Sequence, residues 1–372
     1  MDWRRELIIT PVRHAMQKNC RSRVRFAWRS LKRKKCLLIK RNRVISAARM
    51  ISNHLASVRK FLSIWCAAVT LVVGLTGAPW IVYARQTTQF EALPLVRSRQ
   101  NHLLVRAFIN GKAAWLTIDS GAPVSAIALH RRDYFRLKPT TAESKLPARV
   151  QINGAFNNVA IARELRIGGL RLIDEPVVTV DLANSSRAAR LVHEQEIDGI
   201  IGADILFPTQ AVLDCERQLL ILKMDPDVAG NVPAFNRRGL RAVPIQVSDG
   251  FNLYVNGSVN GIPARLMVDT GSFTTLLHRS FVRRMRIATR GTPYSSSAVN
   301  LKERGVRVAR IRKLSVGSVD IVGKEVGVID LEGLIHDGLL QGSPPVAGLL
   351  GAETLRRHHG IIDFGTRTLY LR

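Results

Sequence analysis

Two stretches of this chain repeat each other in register, and that repetition limits the fold more than any local propensity. Residues 264 to 276 read ARLMVDTGSFTTL and residues 114 to 127 read AWLTIDSGAPVSAI, so Asp119-Ser120-Gly121 and Asp269-Thr270-Gly271 stand 269 − 119 = 150 residues apart. The echo extends on both sides. Upstream, Ala92-Leu93-Pro94-Leu95 meets Ala242-Val243-Pro244-Ile245 and Asn110-Gly111 meets Asn260-Gly261. Downstream the offset falls by one: Val180-Asp181-Leu182 meets Ile329-Asp330-Leu331, Ile200-Ile201-Gly202-Ala203 meets Leu349-Leu350-Gly351-Ala352 (351 − 202 = 149), and Leu213-Asp214 meets Ile362-Asp363. Two copies of one fold are therefore expected, over 92–224 and 242–372. Residues 225–241, DPDVAGNVPAFNRRGLR, match nothing and carry Pro and Gly, as a linker does.

Within each copy the texture is that of strands. Leu103, Val105, Ala107 and Ile109 alternate with other residues, and Leu253, Val255 and Val259 keep the same period, which gives a strand one buried face. Asn110-Gly111 and Asn260-Gly261 supply residues that tolerate positive φ, a hairpin turn, and the return strands lead straight to the two aspartates. Later runs such as PVVTVDL, QLLILK, VRVARIRKLSV and TLYLR are short and rich in β-branched or apolar residues. Helix is expected only after Gly202, after Gly351 and over Arg279 to Met285.

These residues resemble the retropepsin-like aspartic proteases. In that family each β unit contributes one Asp-Thr/Ser-Gly loop, and a pair of apolar residues before Gly packs beneath it. Here the pairs are Ile200-Ile201-Gly202 and Leu349-Leu350-Gly351, lying 202 − 119 = 83 and 351 − 269 = 82 residues past their aspartates. The resemblance implies an all-β fold: two tandem closed β-barrel units in a pseudo-twofold, bilobal acid-protease architecture, one chain holding both halves as in pepsin. It also implies a dyad of Asp119 and Asp269, with Ser120 and Thr270 bracing the loops, Gly121 and Gly271 admitting backbone close to the carboxylates, and Ile201, Gly202, Leu350 and Gly351 as supports beneath. Flap positions over the substrate are expected at Tyr294, in GTPYSSSAVN, and at Asn153-Gly154, in VQINGAFNNV.

The chemistry asks for the same residue types. Hydrolysis of a peptide by an activated water needs a base and an acid close together. Two adjacent carboxylates cannot both ionise comfortably, so they hold one proton between them and titrate as a unit. The reading is an aspartic endopeptidase acting on a polypeptide, with no cofactor and no metal, and with the dyad formed within one monomeric chain, the alternative being separate homodimers of each repeat. Its rivals are a peptide-binding module that uses the same cleft without chemistry, and an envelope scaffold without a ligand. One departure bears on that choice: the first loop continues Ala122-Pro123, and Pro123 has no N–H with which to support it.

Other candidates are weaker. His193-Glu194-Gln195-Glu196 lacks a second His at zinc-ligand spacing, and His358-His359 has no partner at such spacing. Asp214 and Asp363 are expected to make structural hydrogen bonds near the last strands. Cys215 is the single cysteine beyond the N-terminal segment, so the globular part closes no internal disulfide, and a buried inert thiol is expected.

The formal charge of +28 is uneven: residues 1–60 hold 18 Lys/Arg against Asp2 and Glu6. No recognition-helix or zinc-finger pattern accompanies it, so nucleic acid is not the expected partner. After this basic tail, residues 61–84, FLSIWCAAVTLVVGLTGAPWIVYA, carry no charge and are long enough to cross a bilayer as a hydrophobic helix. The positive-inside rule then puts everything after Arg85 on the far side, in the periplasm or at the outer face of the inner membrane. As an anchor the segment stays and holds the protein to the membrane. As a signal peptide it is cut after Ala84, and a start at Met50 gives a leader of ordinary length. A core helix of a cytosolic domain is the third reading.

Overall fold

The structure, a computed structural model, describes residues 89–140, 147–152, 155–191, 193–225, 235–248, 251–293, 296–298, 301–303, 306–336, 340 and 342–372. The basic tail and the apolar segment 61–84 lie outside the described residues, and no described helix is long and apolar enough to cross a membrane. Thr88–Arg372 form one compact unit that holds both repeats.

Each repeat closes a ring of six strands. In the first, the strands pair in the order Leu103–Ile109, Lys112–Ile118, Gly199–Ile201, Ala126–Ala128, Leu170–Val180 and Ala155–Ile167, and the last returns to pair Leu103–Ile109. In the second, the order is Asn252–Val259, Ile262–Asp269, Val346–Gly351, Leu276–His278, Val319–Ile329 and Arg307–Val316, which returns to Asn252–Val259. Closure leaves these strands no free edge and buries alternate side chains inside. Leu103, Val105, Ala107 and Ile109 are buried, as are Leu253, Val255 and Val259, so the period of the sequence is the period of the core.

The Asn-Gly turns take the conformation expected of them. Asn110 and Gly111 have φ of 50° and 80°, Asn260 and Gly261 of 50° and 86°, the positive pair that matches a tight turn to strand twist. Each asparagine also ties its hairpin to the strand that closes the ring: Asn110 Oδ1 accepts the Glu164 N–H at 3.0 Å and Asn260 Oδ1 accepts the Arg312 N–H at 2.8 Å.

A third sheet joins the repeats. Its six strands run Phe90–Pro94, Leu219–Lys223, Val212–Asp214, Ile361–Asp363, Thr368–Leu371 and Arg241–Pro244. The two central strands come from different repeats and pair antiparallel, Leu213 opposite Ile362. The end of the linker lies on this sheet, where Phe235 meets Tyr370 edge-on at 5.5 Å and Leu240 packs with Val212 and Ile361. Asp214 and Asp363 make the structural bonds expected of them: Asp214 Oδ1 accepts the Arg217 N–H at 2.8 Å and Asp363 Oδ1 the Thr366 N–H at 2.9 Å.

The expected helices appear at Ala203–Leu206, Arg279–Arg284 and Ala352–Arg357. Two more, Ala183–Leu191 and Glu332–His336, were not anticipated. Their caps are the repeated Asp181 and Asp330, whose Oδ1 atoms each accept an N–H two residues on at 2.9 Å.

Candidate active site

Each aspartate sits where a buried strand ends. Ile118 pairs in parallel with Ile201, and Asp119 N–H continues that pairing onto Ile201 O at 3.0 Å. In the second repeat Val268 and Asp269 pair with Leu350 and Gly351. The chain then turns back over the helix that follows the glycine: Ala203 N–H donates to Ala122 O at 2.9 Å and Ala352 N–H to Ser272 O at 2.8 Å. Glycine is required beneath each loop because a side chain has no room. A Cβ on Gly202 would stand 2.7 Å from the Val124 carbonyl carbon, and one on Gly351 would stand 2.8 Å from Thr275 N.

Four hydrogen bonds join the two loops. Ser120 N–H donates to Thr270 Oγ1 at 3.0 Å and Thr270 N–H to Ser120 Oγ at 3.1 Å. The same hydroxyls donate across to the strands: Ser120 Oγ to Val268 O at 2.9 Å and Thr270 Oγ1 to Ile118 O at 2.8 Å. Both residues are 1% exposed, so no water competes for these groups. Ser120 and Thr270 thus make a twofold clasp between the repeats.

This clasp brings Asp119 and Asp269 side by side, with a hydrogen bond between the carboxyls. Gly121 N–H donates to Asp119 Oδ1 at 2.8 Å, and Gly271 N–H to Asp269 Oδ1 at 2.9 Å. A Cβ on Gly121 would stand 2.6 Å from Asp269 Oδ1, and one on Gly271 would stand 2.7 Å from Asp119 Oδ1. Each glycine therefore leaves space for the opposite carboxylate. Burial raises both carboxyls above the ordinary range, and the charge of Asp119 raises Asp269 further. Such a pair retains one proton at pH values where isolated aspartates have lost theirs.

Pro123 removes no support from the first loop. Its counterpart Phe273, 273 − 123 = 150 residues on, has an N–H that makes no hydrogen bond among the described residues either. The difference lies one residue earlier, in a hydroxyl: the N–H groups of Ala122 and Ser272 both bond their aspartates, but Ser272 Oγ also donates to Thr274 O at 2.9 Å, while Ala122 has no hydroxyl.

The expected flap residues Tyr294, Asn153 and Gly154 lie outside the described residues. The strands flanking 153–154 form a hairpin, with Arg149–Ile152 paired to Ala155–Asn158. A matching hairpin in the second repeat pairs Ser296–Ala298 with Leu301–Glu303, past Tyr294. Beside the first aspartate, Ala122, Val124, Val150 and Ile152 are partly buried against one apolar cluster, so the first hairpin and first loop share an apolar wall.

Supports beneath the loops that sequence reasoning missed are Ser125, bonded to Asp204, and in the second repeat Thr275, bonded to Thr354, with Glu353 holding Thr274. Ser125 Oγ accepts the Gly202 N–H at 3.0 Å and Thr275 Oγ1 accepts the Gly351 N–H at 3.3 Å. The signal was available, since 275 − 125 = 150 and 353 − 204 = 149 are the offsets of the repeat itself.

The remaining candidates take structural roles. Cys215 is buried, its thiol pushed up to about 12 by burial. Glu194 accepts the Arg99 N–H at 2.8 Å, His358 Nδ1 meets Arg372 O at 3.0 Å, and His359 pairs with Glu216. One His/carboxylate group among the described residues, His278 with Asp330 and Glu332, has candidate ligand atoms within 4.8 Å of one another. Its Nδ1 accepts the Leu331 N–H at 3.1 Å, which leaves Nε2 as the protonated nitrogen, 3.4 Å from Glu332. A ring held in that tautomer presents no lone pair to a cation.

A family model described as aspartyl protease matches residues 105–205 and again residues 255–354, so each match contains one aspartate loop and its glycine support. No curated protein matches the chain.

Proposed function

Because the chain belongs to the aspartyl protease family, with two family units in one polypeptide, we propose that it is an exported aspartic endopeptidase whose single site is the Asp119/Asp269 pair. The observation that carries the reading is the reciprocal Ser120/Thr270 clasp, which holds two raised, mutually bonded carboxyls together. In the proposed reaction a water sits between them. The ionised carboxylate takes a proton from the water as its oxygen attacks the peptide carbonyl, and the protonated carboxyl donates to the carbonyl oxygen. Collapse of the tetrahedral intermediate returns a proton to the leaving nitrogen. Preorganised N–H groups at Gly121 and Gly271 keep the carboxylates from turning away.

The substrate is an extended polypeptide laid under the two hairpins, where strand-like pairing gives affinity and the apolar wall of Val124, Val150 and Ile152 favours apolar side chains. Export rests on the basic run before the uncharged segment 61–84, whether that segment is cut or kept. The units over 92–224 and 242–372 act as the two halves of one monomer.

The test is hydrolysis of an unstructured protein across mildly acidic to neutral pH, by the wild type beside Asp119→Asn and Asp269→Asn. Either change is expected to reduce turnover at least about 100-fold, the low end for loss of a general acid or base, while both variants stay folded. Activity surviving in one single variant would end the shared-dyad reading. Inert wild type with retained peptide affinity would assign a binding module instead.

A further inference from the structure

The two repeats brace their aspartate loops with the same framework but with different charge. In the second, Glu353 accepts the hydroxyls of Thr274 at 3.3 Å and Thr354 at 3.0 Å, and Lys324 Nζ bonds its Oε1 at 2.5 Å. The pair is well inside, with side chains 7% and 12% exposed. Burial works against ionisation of Glu353, and its contact with Lys324 overcomes this and leaves the carboxyl below the ordinary range.

In the first repeat the same two positions are Asp204 (353 − 204 = 149) and Glu175 (324 − 175 = 149). The strand register agrees. Lys324 stands opposite Ile311 and Glu175 opposite Ala162, and 311 − 162 = 149. Asp204 accepts the Ser125 N–H at 2.9 Å and the Ser125 Oγ–H at 2.7 Å, six residues past Asp119. A carboxylate thus holds the loop in both repeats, but where the second supplies an ammonium, the first supplies another carboxyl.

Among the described residues, the Glu175 side chain has no hydrogen-bond or ion-pair partner. The charged residues next to it are Arg163 and Glu164 on the paired strand, Arg171 and Asp174 on its own strand, and Asp204 on the helix after Gly202. Glu164 is bonded to Arg171, and among the described residues Asp204 is the charge that acts on Glu175. Burial first, then Asp204, pushes Glu175 up to about 8, and burial pushes Asp204 up to about 6 against the pull of its Ser125 bonds.

We infer that Glu175 and Asp204 form a proton-dependent brace of the first aspartate loop: one proton on this pair does for Asp119 what the fixed Lys324–Glu353 ion pair does for Asp269. With the proton in place, Asp204 is ionised and bonded to Ser125 while Glu175 is neutral. With it gone, two carboxylates repel at half-buried positions, and the loop that carries Asp119 is the element free to give. Both residues are positioning residues, since they act through Ser125. The consequence for turnover rests on the proposed peptidase reading, whereas the proton itself can be observed without it.

The test uses the Asp119→Asn/Asp269→Asn full-length chain, in which the dyad no longer titrates. Because the native state holds a proton that the unfolded chain has released, stability falls as pH rises through the window up to about 8. The unfolding midpoint is expected to drop from pH 6 to pH 9, and Glu175→Gln or Glu175→Lys in the same background is expected to remove most of that drop. An unchanged slope in Glu175→Gln would overturn the inference. Infrared spectroscopy at pH 7 gives a second reading that does not depend on unfolding: a protonated-carboxyl C=O band is expected, and it should vanish in Glu175→Gln. Absence of that band in the parent overturns the inference equally. In the active protein, Glu175→Lys is expected to move the alkaline limb of the rate profile upward by about one pH unit while leaving the acid limb in place. An unmoved alkaline limb would separate the brace from Asp119. Should the wild type cleave nothing, the midpoint and infrared measurements still decide, and the peptidase reading fails on its own.

Discussion

Thr270→Val is the sharpest probe of the clasp, because it removes one hydroxyl and changes shape very little. Thr270 Oγ1 has two buried partners, the Ser120 N–H at 3.0 Å and Ile118 O at 2.8 Å. With the hydroxyl gone, Ser120 N–H is stranded in a position that is 1% exposed. A buried donor left unpaired costs about 1–3 kcal/mol, and the carbonyl, which keeps a second lone pair, costs less. The sum is about 2–4 kcal/mol, or a fall in unfolding midpoint of roughly 5–15 °C for a unit of this size. Thr270→Ser keeps the hydroxyl and matches the residue the other loop already carries, so it is expected to stay within about 1 kcal/mol of wild type. Denaturant and thermal unfolding of both variants at one pH make the comparison. A loss below about 0.5 kcal/mol for Thr270→Val would mean that the loops are not held by these bonds, and the argument for a shared carboxylate site would fall with it.

Further perturbations test the surroundings. Gly271→Ala would drive a methyl into the Asp119 carboxylate, and is expected to abolish peptide hydrolysis with a measurable loss of stability, read by turnover and thermal unfolding. Lys324→Met leaves Glu353 with the exposed Arg357, 3.3 Å away, as its remaining cation among the described residues, and is expected to cost about 1–3 kcal/mol, part of it recovered by adding Glu353→Gln in a denaturant titration. Both aspartates have raised carboxyls, so the dyad's contribution to stability is expected to fall as pH rises from the ordinary carboxylate range through about 8, and either Asn variant should flatten that part of the curve.

The doubled aspartate motif made the fold legible because repetition of chemistry at a fixed spacing is hard to produce without repetition of structure. Alternating apolar residues around Asn110-Gly111 and Asn260-Gly261 then gave each hairpin its facing, and the rings follow from which strands those hairpins bring together. The helices at Ala183–Leu191 and Glu332–His336 escaped notice because their sequences, ANSSRAARL and EGLIH, carry little apolar periodicity and depend on an aspartate cap for their start. Ser125 and Asp204 were hidden for another reason: they are ordinary polar residues until a glycine at 202 brings their segments together. The Glu175/Lys324 difference was least visible of all, since a search for sameness between repeats passes over a reversal of charge.

The pairing of Val212–Asp214 with Ile361–Asp363 has a consequence for the chain as two halves. Each strand is the equivalent of the other, so the junction is isologous, and either half cut loose would present an open backbone edge that fits a copy of itself. The linker therefore does more than tether: by keeping the partner half at high local concentration it prevents like halves from joining, and with them sites built from two first loops or two second loops. A chain of this kind can let its two loops diverge, one braced by a fixed ion pair and the other by a carboxyl pair, because it never has to build a site from two identical copies.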